Sequence, residues 1–397
     1  MLRLGMRMLI ADRARYLALL FGIAFTAFLV SFAASFFCGF MTRSFALIAE
    51  NPAADVWVMD PAIVTPEQTV NMPGATLNRI RSVDGVSSAR PLALGASAVR
   101  FGNGGIQVFQ IIGVDDATLA GAPSLEDGLS QTVLHHPDAA VPAAGGTEGK
   151  LETPARPSDL WPTDGPHLDV PTRQVTAGDD VVVNGHRVKI EGVASALPRF
   201  PPRPLLYMTF ANASRVLPPE RRILTFALVK AKLGIDSHEL AARIEASTGL
   251  RARTAQEFRS DTVWWFLMNS EDVGDVASML VLAMAVGFGV TGVMLYMFTH
   301  ASLGQYAVLK AMGATSKMLI SIVCVQAGFC ALVGTGLGLG MCAIAGRLTD
   351  SQGLPFRMMW FTPLVGAAAV LVVSLAAALI SFRPVVKLQP ATVFSMN

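Results

Sequence analysis

The chain has 397 residues, of which 52% are hydrophobic and only 15% charged, with a mean hydropathy of +0.48. That is too apolar for an ordinary soluble protein and long enough for both a membrane part and a folded domain. A formal net charge of +2 offers no electrostatic footprint for nucleic acid. The charge is unevenly placed. About 21 Lys and Arg and 26 Asp and Glu fall between Met41 and Asp272, which leaves two nearly charge-free ends. All four cysteines, Cys38, Cys324, Cys330 and Cys342, lie in apolar stretches, so the polar middle has no thiol for an internal disulfide. None has a His or Cys at metal-binding spacing, and no metal site is expected.

Residues 1–16 carry Arg3, Arg7, Arg13 and Arg15 against Asp12, and 17–40 follow without a formal charge. That apolar run exceeds the core of a signal peptide, so it is expected to be an uncleaved first span with its N-terminus in the cytoplasm. Met41, Phe45 and Ile48 continue at helical spacing up to Glu50-Asn51-Pro52, where proline helps to end the helix.

Residues 41–272 are expected to form a large extracytoplasmic α+β domain. Val56–Met59 reads as a strand and Thr76–Ser82 as a short helix. Alternating segments at Ala89–Phe101 and Gln107–Val114 are joined by Gly102-Asn103-Gly104-Gly105, a hairpin signal. Residues 116–175, rich in Pro, Gly, Ala and acidic residues, are expected to be flexible. His135-His136 within them lacks a second ligand pair. Asn184-Gly185 joins Val181–Val183 to Val188–Gly192 as a second hairpin. Pro198–Pro204, PRFPPRP, reads as a stiff cationic loop, either solvated or held by a partner. A strand at Leu224–Val229, a helix at Asp236–Thr248 capped by Ser237, a strand at Arg251–Thr254 and a returning helix at Thr254–Asp272 complete the domain. Trp264-Trp265 suits either the membrane interface or a core.

Residues 276–298, 319–345 and 361–382 are each apolar and long enough to cross about 30 Å of hydrocarbon. The fold class is therefore an integral membrane α-helical protein with four transmembrane helices and the α+β domain between the first and second. The second and third spans are joined by a cytoplasmic loop, 299–317, and the third and fourth by an outer loop, 346–359. A cytoplasmic tail, 383–397, ends the chain. Lys310, Lys317, Arg383 and Lys387 agree with this orientation, whereas Arg347 and Arg357 run against it. In the third span Gly334, Gly336, Gly338 and Gly340 make two overlapping Gly-x-x-x-Gly spacings, which allow close helix packing within the subunit or across a homodimer. No acidic or basic residue lies deep in the last three spans, which argues against an ion-coupled carrier. Gly145–Leu151 comes nearest to a Walker A loop but has the wrong glycine spacing. No catalytic residue is expected, and the chain is not read as an enzyme.

Between the second and third spans lies Ser302–Lys317, SLGQYAVLKAMGATSK, in which a helix is expected over Leu303–Met312 with Gly313 as its stop. Tyr306, Ala307, Val308, Leu309, Lys310, Ala311, Met312, Gly313 and Ala314 resemble the loop signature of FtsX-like (MacB/LolC-type) ABC permeases, which implies that these residues together with Gln305 couple to an ATPase. Leu303-Gly304-Gln305 departs from the acidic and Arg residues usual there. Gly178-Asp179 before paired strands and Arg383–Phe394, with its Pro390-Ala391, also resemble that family, and Gly22-Ile23-Ala24-Phe25 resembles its DevC-like branch.

The resemblance implies a bacterial inner-membrane permease whose loop helix docks on a separate ABC ATPase, which holds ATP and Mg while this chain binds no cofactor. It further implies a homodimer, a periplasmic adaptor protein, contact with membrane lipid, and export of a lipid, lipoprotein or small amphiphile by mechanotransmission. The family's alternative is a regulatory scaffold that passes ATPase motion to a cell-wall hydrolase.

Overall fold

The computed structural model describes residues 13–147, 149–218, 224–350 and 352–386. The N-terminal segment 1–12 and the tail pattern from Lys387 to Phe394 lie outside the described residues. The chain divides into two units, Met41–Ser270 and the two flanking segments Met1–Phe40 and Glu271–Asn397.

The elements in chain order are helices α1 (Arg13–Ser44) and α2 (Ala46–Glu50), strand β1 (Val56–Met59), helix α3 (Thr76–Arg81), and strands β2 (Val86–Arg100), β3 (Ile106–Val114) and β4 (Ser124–Leu125). Then come β5 (Ala139–Ala143), β6 (Glu152–Pro154), β7 (Thr172–Gln174), β8 (Asp180–Val183), β9 (His186–Ile190), β10 (Ala194–Ser195) and β11 (Leu205–Thr209). Helix α4 (Phe210–Val216), strand β12 (Phe226–Ala231), helix α5 (Ser237–Thr248), strand β13 (Arg251–Thr254) and helix α6 (Ala255–Asn269) close the α+β unit. The helices α7 (Glu271–Ala301), α8 (Leu303–Ala311), α9 (Ser316–Asp350) and α10 (Thr362–Val386) follow.

Within Met41–Ser270 a nine-stranded sheet runs β13-β1-β12-β2-β3-β11-β5-β9-β8. Strand β1 is buried along its whole length because both of its faces are covered. Val56 and Val58 pack with Ile80, Leu240 and Ile244, and Trp57 and Met59 pack with Ile48, Phe226 and Phe258. Such a doubly covered strand reads as a continuous apolar run rather than an alternating one. Strand β2 divides its length between two partners: Val86–Leu92 pair with β12 and Ala93–Arg100 with β3. Its end also pairs with β8 through Val99 and Val183, which closes β2, β3, β11, β5, β9 and β8 into a ring of six strands.

Both expected hairpins form. Asn184 and Gly185 have φ of 48° and 81°, the pair of positive values that a two-residue primed turn requires.

Three expectations are corrected. Residues 116–175, expected to be flexible, supply β5, which is buried throughout and lies between β11 and β9 in the sheet. Its Ala-rich sequence hides it because small side chains fit a strand enclosed on both faces. Its pairing with β9 involves only Ala139 and Ala140, leaving Pro142 beyond that ladder, where a missing N–H costs least. Helix α5 is capped by Asp236 rather than Ser237: the Asp236 carboxylate accepts from the backbone N–H of His238 at 2.9 Å. The helix expected over Thr254–Asp272 is interrupted at Ser270, whose backbone is extended at φ −97°, ψ 122°.

Helix α6 starts with a capping box. The N–H of Glu257 donates to Thr254 Oγ1 at 3.2 Å, and the N–H of Thr254 donates to the Glu257 carboxylate at 2.8 Å.

In the other unit α1, α7 and α9 carry segments long and apolar enough to cross a membrane, namely Tyr16–Ser44, Glu271–Ala301 and Val325–Thr349. The fourth expected span falls in α10, a helix of 25 residues whose described apolar part, Thr362–Ala376, is shorter than a crossing needs. The hydroxyl of Thr26 on α1 lies 2.9 Å from the carbonyl of Gly287 and 2.7 Å from the hydroxyl of Thr291, both on α7. The loop before α10 is tied to α1 by the N–H of Arg357, which donates to the Ser35 carbonyl at 3.1 Å.

Replacing the capping threonine, Thr254→Ala, removes the Oγ1 acceptor of the Glu257 N–H while the backbone N–H at 254 is kept, and should lower stability by about 1 kcal/mol. For a unit of this size the expected drop in apparent Tm is about 2–4 °C, read by tryptophan fluorescence during heating of the full chain in detergent.

Candidate functional site

Nine residues make too short a helix to be stable alone in water, so α8 must be held by what surrounds it. Ser302 before it donates its hydroxyl to the Phe298 carbonyl at 2.9 Å. At the other end Gly313, with φ +94°, supplies the left-handed turn that stops the helix. The N–H of Ala314 returns to the Leu309 carbonyl at 3.0 Å. The stop expected at Gly313 is thus observed.

Helix α8 has an inner and an outer side. Tyr306 and Ala307 are fully buried, and Leu303, Leu309, Lys310 and Ala314 are half-buried. Gly304, Gln305, Val308, Ala311, Met312 and Gly313 are exposed. Positions 304, 305, 308, 311 and 312 follow the spacing of a single helical face. Of the ten positions expected to meet a partner, Tyr306 and Ala307 are therefore turned inward and serve to hold the helix. Tyr306 packs with Leu319 and Ile322 of α9, and its hydroxyl donates to Gln326 Oε1 at 2.9 Å. Burial pushes the Tyr306 phenol up to about 12, so it stays protonated, and able to donate, throughout the physiological range.

The two Gly-x-x-x-Gly spacings separate cleanly. A Cβ on Gly334 would sit 2.6 Å from Ile23 Cγ2, and one on Gly338 would meet the carbonyl of Ala24 and lie 2.6 Å from the Ala27 Cβ. These two glycines admit α1 to the surface of α9. A Cβ on Gly336 or Gly340 would meet nothing within 4 Å. Close packing in this chain uses one pair and leaves the other pair open.

The α+β unit contains a polar cluster that was not legible in the sequence. The PRFPPRP loop is not the solvated cationic connection that its composition suggests. Arg199 is 2% exposed, pairs with Glu50 and donates to the Tyr207 hydroxyl at 3.1 Å. Glu50 also accepts from the Tyr207 hydroxyl at 3.1 Å and from the backbone N–H of Leu197 at 2.6 Å. Arg203 pairs with Glu67. Phe200 stacks edge-on against Phe266 of α6 at 5.5 Å. Burial raises the Tyr207 phenol, and the nearby Glu50 carboxylate pushes it the same way. Burial also raises Glu67 against the opposing pull of Arg203. The only local signal was two cations in a proline-rich loop, because Glu50 lies 149 residues before Arg199. The histidines of the 116–175 segment make ordinary contacts: His135 with the Asp116 carbonyl at 3.0 Å, and His136 with Glu191 at 3.5 Å.

Residues 277–390, which contain α8 and its two flanking helices, match the FtsX-like permease C-terminal family. This part of the chain is similar to the C-terminal domain of FtsX-like permeases. The chain has distant likenesses among solved structures. The extracellular domain of the noncanonic ABC-type transporter YknZ from Gram-positive bacteria is 12% identical over 51% of this chain and 99% of that one, with a TM-score of 0.33. The periplasmic region of MacB from Actinobacillus actinomycetemcomitans is 11% identical over 55% of this chain and 94% of that one, with a TM-score of 0.35. No curated protein matches the chain at a significant level. Within the matched residues α8 is the short helix between two apolar helices, and one of its faces is exposed.

Two outcomes are expected. Gly338→Leu, which drives a side chain into α1, should lower the apparent Tm and the yield of folded full chain, whereas Gly340→Leu should leave the monomer unchanged. Glu50→Gln leaves the buried Arg199 charge uncompensated and should destabilise by about 3 kcal/mol. Adding Arg199→Met to Glu50→Gln should recover most of that loss, as read by the apparent Tm of the four forms.

Proposed function

We propose that this chain is the permease subunit of an ABC exporter in which ATP hydrolysis on a separate ATPase subunit drives movement outside the membrane. The observation that carries this reading is the exposed face of α8, Gln305, Val308, Ala311 and Met312, presented between two apolar helices of an FtsX-like permease domain. The ATPase docks on that face and holds ATP and Mg, while this chain binds no cofactor of its own. α10 is the fourth crossing, and both termini are cytoplasmic, which leaves the α+β unit on the outer side of a bacterial inner membrane. Two copies associate through the open glycines Gly336 and Gly340. The outer unit works with a periplasmic adaptor protein, and the cargo is a lipid, lipoprotein or small amphiphile. Mechanotransmission is favoured by the lack of acidic or basic residues deep in the last three apolar segments, where an ion-driven carrier would need them.

The test is co-purification of the full chain in detergent with candidate ABC ATPase subunits, co-expressed one at a time. Val308→Asp and Met312→Asp place a charge on the exposed face without touching the core and should each weaken association about tenfold or more. Retention of an ATPase unchanged by both variants rejects the docking face.

A further inference from the structure

Only two residues of α8, Tyr306 and Ala307, are fully buried. Leu303, Leu309 and Ala314 pack against the same cluster only partly buried, and apolar side chains alone do little to stop a short helix turning about its own axis. A turn of one residue position, about 100°, would bring different side chains to the surface. What opposes such a turn is specific. The Tyr306 ring lies against Leu319 and Ile322, and its hydroxyl reaches Gln326 Oε1 at 2.9 Å. Gln326 is 3% exposed and lies one residue inside the apolar segment Val325–Thr349. In that setting an unpaired phenol or amide is costly, so turning α8 away from Gln326 is penalised far more than sliding one apolar side chain over another.

We propose that Tyr306 is a positioning residue whose hydrogen bond to Gln326 fixes the rotation of α8 and locks it to the first third of α9. The proposal deepens the permease reading and rests on it: the bond decides that Gln305, Val308 and Met312, rather than Ala307, meet the ATPase. It also sets where force goes. A push on α8 enters α9 directly through Tyr306 and Gln326. From α9 it reaches α1 where Gly334 and Gly338 let the two helices touch at Ile23, Ala24 and Ala27.

The experiment measures the reaction of single added cysteines with a membrane-impermeant maleimide, using the full chain in lipid nanodiscs. The chain without added cysteines sets the background, since Cys38 is only partly buried although Cys330 and Cys342 are fully buried. Val308→Cys should label quickly and Ala307→Cys at least about tenfold more slowly. Adding Tyr306→Phe, which keeps the ring and removes only the hydroxyl, should speed labelling of Ala307→Cys about tenfold and leave Val308→Cys unchanged. Gln326→Leu should act the same way, and the double variant should be no faster than either single one, because both remove one bond.

Slow labelling of Ala307→Cys that persists with Tyr306→Phe would overturn the proposal, since apolar packing alone would then hold the helix. So would a rise that extends to the native cysteines, which would signal general loosening. No ATPase is present in this measurement. The expected labelling pattern together with no ATPase association would reject the docking reading and leave the Tyr306 lock standing.

Discussion

Everything that α8 can do depends on one buried contact, that of Tyr306 with Leu319, Ile322 and Gln326. Nine residues between two long apolar helices gain little from their own backbone hydrogen bonds. Tertiary contact supplies the rest, and here it comes from an aromatic ring with a polar tip. The ring contributes apolar burial, and the hydroxyl adds direction, because a hydrogen bond is satisfied in one orientation and not in its neighbours. The same division of labour recurs between α1 and α7, where the Thr26 hydroxyl meets Gly287 and Thr291 in an otherwise apolar seam. Small residues let the backbones approach, and a single polar group fixes the register.

Much of the fold was legible because its signals are local. The charge-free runs, the Asn184-Gly185 turn, the helical stop at Gly313 and the strands at Val56–Met59 and Arg251–Thr254 each depend on a few adjacent residues. The expectation that failed for 116–175 rested on composition. Alanine and proline suggest disorder, yet Ala139–Ala143 is a buried strand because its partners β11 and β9 come from much later in the chain. The same limit explains the Pro198–Pro204 loop. Its arginines looked solvated because Glu50 and Glu67, which neutralise them, are far away in sequence.

The candidate site was legible in position but not in facing. The motif located α8 within a residue of its observed end, but it treated Tyr306 through Ala314 as one surface. The inward turn of Tyr306 and Ala307 depends on Gln326, 20 residues on, and nothing in the motif points to it. The glycines behave alike: their spacing announced close packing, and only the neighbours of each show that Gly334 and Gly338 face α1 while Gly336 and Gly340 face outward.

Strand β2 has a bearing on how the α+β unit comes apart. Its first seven residues belong to the ladder with β12 and its remaining eight to the ladder with β3, so one uninterrupted strand is common to both halves of the sheet. Neither half can lose its share of β2 without stripping an edge from the other. Proteins often open in separate cooperative blocks along such a boundary. Here the boundary runs through the middle of a strand, and the amides of Ala89 and Ile111, which belong to different hydrophobic clusters, are tied to a common opening event.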